Sequence, residues 1–298
     1  MKPINLLSVM LCVCIGISSQ AQELDKSATF SLFSGGMNYQ GDLKPKTFTI
    51  ENSSPAIGIS IRKPLNRWFS LRGGVNVGTI KAADAWNNED LKVRNLSFTT
   101  TIKEAYLGLE VAILDISSGK FTPYMYGGIA VFHFNPWARD NNGVKTYLKP
   151  LSTEGQGLSA YPDSKPYNLT QISMAFGGGF RFAISDGLNI GLEFNQRKSF
   201  TDYIDDVSGN YVERDDLLQE RGIKAVELAY RADEIPGGRP IFPSHGDKRG
   251  TPTEMDWYYF FGATMEVKLS SFGGLFKHTK SLAGQRCPRN VNYSSKIY

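Results

Sequence analysis

The stretch FTDYIDDVSGNYV, residues 200–212, places Asp202, Tyr203, Asp205 and Asp206 within five positions of one another. Carboxylates this close can ligate a divalent cation or act as a catalytic acid cluster. A calcium loop requires the alternating D-x-D-x-D-G ligand spacing, and Asp202, Asp205 and Asp206 do not have it. The remaining reading is an ordered turn in which Asp side chains cap backbone amides around the Ser-Gly-Asn that follows.

Two further positions could carry chemistry. A barrel hydrolase acting on lipids needs an activated nucleophile beside a base. Of the histidines His133, His245 and His278, only His133 falls in a strand pattern, and no serine adjoins it in sequence. Its plainer role is a polar residue near a rim, so no catalytic residue is assigned and no enzyme is expected. Cys287 is the single cysteine left once a leader carrying Cys12 and Cys14 is removed. One thiol cannot close an intramolecular disulfide; it links a partner or stays free. No Cys/His spacing suggests zinc, and neither metal nor cofactor is expected.

The elements that must hold these residues begin after an export signal. Lys2 supplies a positive start, INLLSVMLCVCIGI an apolar core and residues 19–21 the small side chains of a cleavage site. A lipoprotein reading of Cys12 or Cys14 is weaker, because small residues do not precede either one. Past the leader, no apolar run approaches the roughly 18 residues of a membrane helix. Charge is nearly balanced, with 33 Lys+Arg against 29 Asp+Glu and no basic run, so no nucleic-acid partner is expected.

Strict period-two alternation fills the mature chain. Leu188, Ile190, Leu192 and Phe194 face one way while Asn189, Gly191, Glu193 and Asn195 face the other. Tyr259, Phe261, Ala263, Met265 and Val267 alternate in the same manner against Gly262, Thr264, Glu266 and Lys268. Further strands are predicted near 28–40, 55–64, 69–77, 104–113, 121–134 and 172–184, which makes eight. The connections alternate: moderate, PLNR, long, DISSGK, very long, SDG, and longest at about 199–255. A soluble sandwich has no reason to alternate this way. An outer-membrane barrel does, with short periplasmic turns and long extracellular loops.

The predicted fold is therefore all-β: an eight-stranded antiparallel outer-membrane barrel over residues 22–270. A signal peptide covers 1–21 and a periplasmic C-terminal tail covers 271–298. Arg62, Arg72, Glu104, Glu110, Arg181, Glu193, Arg197, Glu266 and Lys268 point inward, and such a mixture should pair into a polar core rather than line a pore. Trp68, Phe69, Phe121 and Tyr124 suggest one aromatic girdle, and Tyr39, Phe98, Phe132, Phe134, Trp257 and Tyr258 the other. In the longest loop, DDLLQERGIKAVELAYRADE reads as an amphipathic helix weakened by Gly222.

Four segments, in order, suggest a family: GGMNYQGDL, PYMYGGIAVFHFNP, RKSFTDYIDDVSGNYV and RGTPTEMDWYYFFGATMEVKL. Together they resemble the PorG-like outer-membrane barrel proteins of the Bacteroidetes. The resemblance implies an eight-stranded barrel tied to the type IX secretion system. It also implies contact with the periplasmic ring formed by a lipoprotein and its partner, besides outer-membrane lipid. On this reading Asp202, Tyr203, Asp205, Asp206 and Trp257 serve loop architecture, and Cys287 in the tail could link a partner. The alternatives are a surface adhesion or transport barrel, and a lipid-modifying barrel enzyme.

Overall fold

The computed structural model describes residues 27–114 and 120–271. The expected leader, Cys287, His278 and the tail beyond Ser271 lie outside the described residues. In chain order the strands are β1 (Thr29–Gln40), β2 (Ser54–Pro64), β3 (Phe69–Ala83), β4 (Ser97–Ala112) and β5 (Phe121–His133). A short hairpin follows, β6 (Trp137–Arg139) and β7 (Lys145–Tyr147). The wall resumes with β8 (Thr170–Ser185), β9 (Leu188–Ser199) and β10 (Trp257–Lys268).

Neighbours pair antiparallel in the order β3-β2-β1-β10-β9-β8-β5-β4, and β3 pairs back onto β4 through Phe69↔Val111 to Ala83↔Ser97. Eight strands thus close into a barrel with no free edge. The β6–β7 hairpin, which periodicity does not reveal, extends the wall above β4 through Thr99↔Trp137.

Alternation sorts the side chains as the sequence requires. Ile57, Ile59 and Ile61 on β2, Leu107 and Leu109 on β4, and Ile190 and Leu192 on β9 are all exposed on the outer wall. An apolar surface that encircles a closed barrel is the surface of a protein that spans a bilayer, and barrels that do so lie in outer membranes. The turns at residues 65–68 and 186–187 share one end with the start of β1 and the end of β10, which is the periplasmic end. Residues 41–53, 84–96, 134–169 and 200–256 lie at the other end.

The interior is an ionic ladder with an apolar stopper above it. Arg62 and Arg181 meet Glu266 at 3.2 and 2.7 Å, and Arg181 also reaches Glu110 at 2.9 Å. Arg72 pairs with Glu193 and lies 3.6 Å from Glu110. Farthest from the short turns, Arg197 grips both oxygens of Glu104 at 2.7 and 3.0 Å, donates to Tyr126, and is fully buried. Four arginines thus neutralise four glutamates, while Lys268 is only half-buried at the rim. The gap lined by Ser60, Arg72, Asn76 and Glu193 has no room for a water molecule.

Two expectations need correction. Tyr124, Tyr39, Phe98, Phe132, Phe134 and Tyr258 do not form girdles; all are buried and point inward. Parity decides this, since each sits in the inward row of its strand, and a strand-end position alone does not give the face. Toward the long loops these inward rings join Met37, Ile80, Ile102 and Phe260 in the largest apolar cluster. Secondly, the loop helix is two helices, Arg214–Arg221 and Ile223–Ala229. Gly222 between them takes φ 80° and ψ 177°, a conformation that other residues rarely adopt.

The loop after β1 doubles back over the outer wall. Asn38, in an outward row, is enclosed there: its amide nitrogen donates to Thr49 O, Glu51 O and Ser53 Oγ, and its oxygen accepts from Lys44 Nζ at 2.7 Å. Phe48 rests edge-on against Phe194 and Tyr259, so that Tyr259 is buried despite its outward register.

Breaking the ladder at one member strands a buried charge. Arg197→Met should destabilise the barrel by about 3–5 kcal/mol, and adding Glu104→Gln should restore much of that loss. Urea unfolding in lipid vesicles measures both.

Candidate functional site: an acidic knot in the cap over the barrel mouth

The long loops fold together as a cap, and the 200–212 stretch lies at its centre. Ser199 ends β9 with its hydroxyl oxygen 2.7 Å from the carbonyls of both Thr201 and Asp256, within reach of either as donor, which ties the loop's departure to its return. Asp205 Oδ1 accepts from the Val207 amide at 2.9 Å, an Asx turn, and Asp206 then takes φ 69°, the left-handed region that Asp tolerates better than most residues. Asp256 Oδ2 accepts from the Ile204 amide at 2.8 Å.

Other loops converge on the same turn. Thr153 and Tyr167 each donate to Asp206 at 2.6 Å, and the Tyr167 ring stacks on Tyr203 with centroids 4.8 Å apart. Glu154 receives the Ser208 and Gly209 amides at 2.9 Å and the Arg249 guanidinium at 2.8 Å. Arg249 also donates to the Asp206 carbonyl at 2.6 Å. Arg94 forks onto both oxygens of Asp84 at 2.8 Å and reaches the carbonyls of Asp42 and Arg249. Every long loop contributes to this knot.

Its centre is a pair of carboxyls around one hydroxyl. Tyr39 Oη lies 2.6 Å from Asp205 Oδ2 and 2.9 Å from Asp256 Oδ1. A hydroxyl has one proton to donate, so the second short contact requires a proton on a carboxyl. Burial, and then the Asp42 charge, pushes Asp205 up to about 8. Burial, and then Asp205 and Asp202, holds Asp256 well above the usual carboxylate range. Asp202 is 4 % exposed with neither carboxyl oxygen hydrogen-bonded, and burial pushes it up to about 8. Asp206 reaches about 6, raised by burial and held back by Arg249. Among the described residues, no group of three or more His, Cys, Asp or Glu is arranged to hold a metal ion. What the cluster does chemically is hold protons and cross-link loops.

The structure brings Asp202, Tyr203, Asp205 and Asp206 together but places Trp257 elsewhere. Trp257 lies on the outer wall, edge-on to Phe176 at 5.9 Å and beneath the Lys198 ammonium at 5.5 Å. Tyr39, Asp42, Arg94, Glu154, Arg249 and Asp256 join the knot from distant parts of the chain, and nothing in their local sequence announces it. His133 is exposed on the outer wall with Nδ1 3.0 Å from Thr170 Oγ1. Its hydroxyl neighbour is therefore a threonine, and among the described residues no carboxylate hydrogen-bonds the ring.

A family profile described as "Domain of unknown function (DUF6089)" matches residues 4–221, which end with the first cap helix. The chain belongs to this family. No curated protein sequence matches this DUF6089 chain. Among solved structures it is similar to Neisserial surface protein A, at 8% identity and a TM-score of 0.40, over 81% of this chain and 97% of that one. Ail of Yersinia pestis, in complex with the heparin analogue sucrose octasulfate, gives 8% identity and 0.37 over 82% and 99%. The E. coli outer membrane protein W gives 11% and 0.33 over 83% and 100%. The barrel assignment rests on the chain's own strand pairing.

The raised carboxyls give the DUF6089 cap a pH dependence of definite sign. Acids held above their ordinary value of about 4 bind more protons folded than unfolded. Their contribution is complete below about pH 4 and declines as pH rises toward about 8, the value that Asp205 and Asp202 reach. Asp256→Asn keeps an acceptor for Ile204 and a donor for Tyr39 while removing one charge. Hydrogen exchange across residues 200–212, corrected for intrinsic rate, should show the variant more protected at pH 8.5, on the order of 1–2 kcal/mol, and nearly unchanged at pH 5.

Proposed function

We propose that this protein is a non-enzymatic outer-membrane component of the type IX secretion machinery, a PorG-like barrel that anchors the periplasmic ring of a lipoprotein and its partner. The observation that carries the reading is the sealed barrel. Among the described residues the lumen is filled by paired Arg and Glu and stoppered by aromatic rings, and the gap beside Arg72 and Glu193 has no room for a water molecule. What remains for function is surface: the lipid-facing wall, the cap, and the periplasmic turns with the tail.

The segments that resemble the PorG-like proteins are also the ones the cap binds together. Tyr39 belongs to the first, Asp205 to the third and Asp256 to the fourth, and one hydroxyl joins all three. This supports reading the segments as one structural unit. The non-enzymatic role is part of the proposal; His133 is exposed on the outer wall with Nδ1 3.0 Å from Thr170 Oγ1, and among the described residues no carboxylate hydrogen-bonds the ring.

A strain lacking the gene should accumulate cargo bearing the type IX sorting domain in the periplasm, and a plasmid copy should restore export. A copy truncated from Phe272 should still insert as a barrel and should lose the ring proteins on affinity capture. Normal export in the deletion strain would remove the secretion reading. Full retention of the ring by the truncated copy would move the contact from the tail to the turns.

A further inference from the structure

The outer wall carries a second feature, at the extracellular end of β3, β4 and β5. The outward rows of these strands contain no acidic residue, yet they end in cations. Lys103 on β4 lies directly across from His133 on β5, and Lys81 on β3 lies across from Thr99, which in turn faces Trp137 of the hairpin. The hairpin adds Arg139 and Lys145; Lys145 Nζ sits 4.7 Å from the Trp137 ring and 4.8 Å from Tyr147, and Lys81 sits 5.9 Å from Trp86. Among the described residues, Lys81, Lys103, Arg139 and Lys145 take part in no salt bridge, whereas Lys224 and Arg231 on the cap do.

The position of this group identifies what it suits. Toward the mid-membrane from Lys103 and His133 lie Val75, Ala105 and Val131, where the apolar belt begins. Lys103 stands four residues from Thr99 along β4, roughly 13 Å of strand, so the cations occupy two levels above the belt. A soluble anion would leave the belt beneath it unused. An amphiphile with an anionic head fits both parts: chains against Val75, Ala105 and Val131, head among the ammonium and guanidinium groups. Basic groups beside aromatic rings at this level are the arrangement that grips lipid headgroups.

We propose that the β3–β5 wall with its hairpin is a binding site for the phosphate-bearing headgroup of an outer-leaflet glycolipid. The site is independent of the secretion reading, since it uses neither the periplasmic turns nor the tail. It is also confined to one side: on the wall of β9 and β10 the extracellular cation is Lys198 alone, stacked on Trp257.

The test uses the full chain in phosphatidylcholine nanodiscs doped with diphosphoryl lipid A, with lipid retained through detergent exchange counted by native mass spectrometry. The triple variant Lys81→Gln, Lys103→Gln, Lys145→Gln should bind on the order of 100-fold more weakly, at about fivefold per cation. The matching Lys→Arg triple should bind as the wild type does, which separates lost charge from a misfolded wall. Lys198→Gln should leave binding unchanged, and fully dephosphorylated lipid A should bind wild type as weakly as the triple variant binds the diphosphoryl form. Equal retention by the Gln triple and the wild type would overturn the site. So would an equal loss in Lys198→Gln, which would indicate a field spread around the whole rim. Displacement of the lipid by excess inorganic phosphate would overturn the lipid as occupant, leaving a free-phosphate site.

Discussion

Everything in this molecule depends on the requirement that charges enclosed by eight strands be paired. A closed barrel of this size has an interior just wide enough for side chains, and an unpaired ion there is costly. Arg62, Arg72 and Arg181 meet Glu110, Glu193 and Glu266 in one network, and Arg197 meets Glu104 as a separate pair above it. The ladder crosses the lumen between strands that are not neighbours, so it fixes the barrel's cross-section as well as its charge. Glycines in the inward rows make room for it; a Cβ on Gly179 would lie 2.9 Å from the Tyr124 hydroxyl and closer still to the Leu192 carbonyl.

The cap meets the same constraint with a different device. In the knot the acids outnumber the bases: Arg94 and Arg249 face Asp42, Asp84, Glu154, Asp202, Asp205, Asp206 and Asp256. Two guanidinium groups cannot neutralise seven carboxyls, so protons supply part of the balance, and Tyr39 between Asp205 and Asp256 is where the geometry demands one. The ladder holds ions in pairs; the knot holds acids partly neutral. In both, a side chain from one strand end is satisfied by residues more than a hundred positions away, which makes cap and barrel one cooperative unit.

The barrel was legible in the sequence because alternation and connection length are local. Leu188 to Phe194 and Tyr259 to Val267 declare their outward face residue by residue, and Arg197, Glu193 and Glu266 fall inward by the same parity. Six of the ten rings assigned to girdles show where a coarser signal fails: Phe132 and Tyr258 sit at strand ends, but only parity puts them inside. In the cap, the Asp205–Val207 turn could be read because an Asx turn spans two residues. The meeting of Tyr39, Asp205 and Asp256 could not, because it joins the end of β1 to two ends of a loop more than 150 residues later. The β6–β7 hairpin was missed for a third reason, since three-residue strands are too short for a period to appear.

A sealed lumen is the central claim, because the assignment of function to surfaces follows from it. Planar-bilayer recording of the purified full-length protein tests it most directly. The account predicts a bilayer that stays electrically silent, with no stable conductance steps from the wild-type barrel under applied voltage. Reproducible steps of one unitary size would contradict it, and the interior would then have to be reconsidered as a pathway.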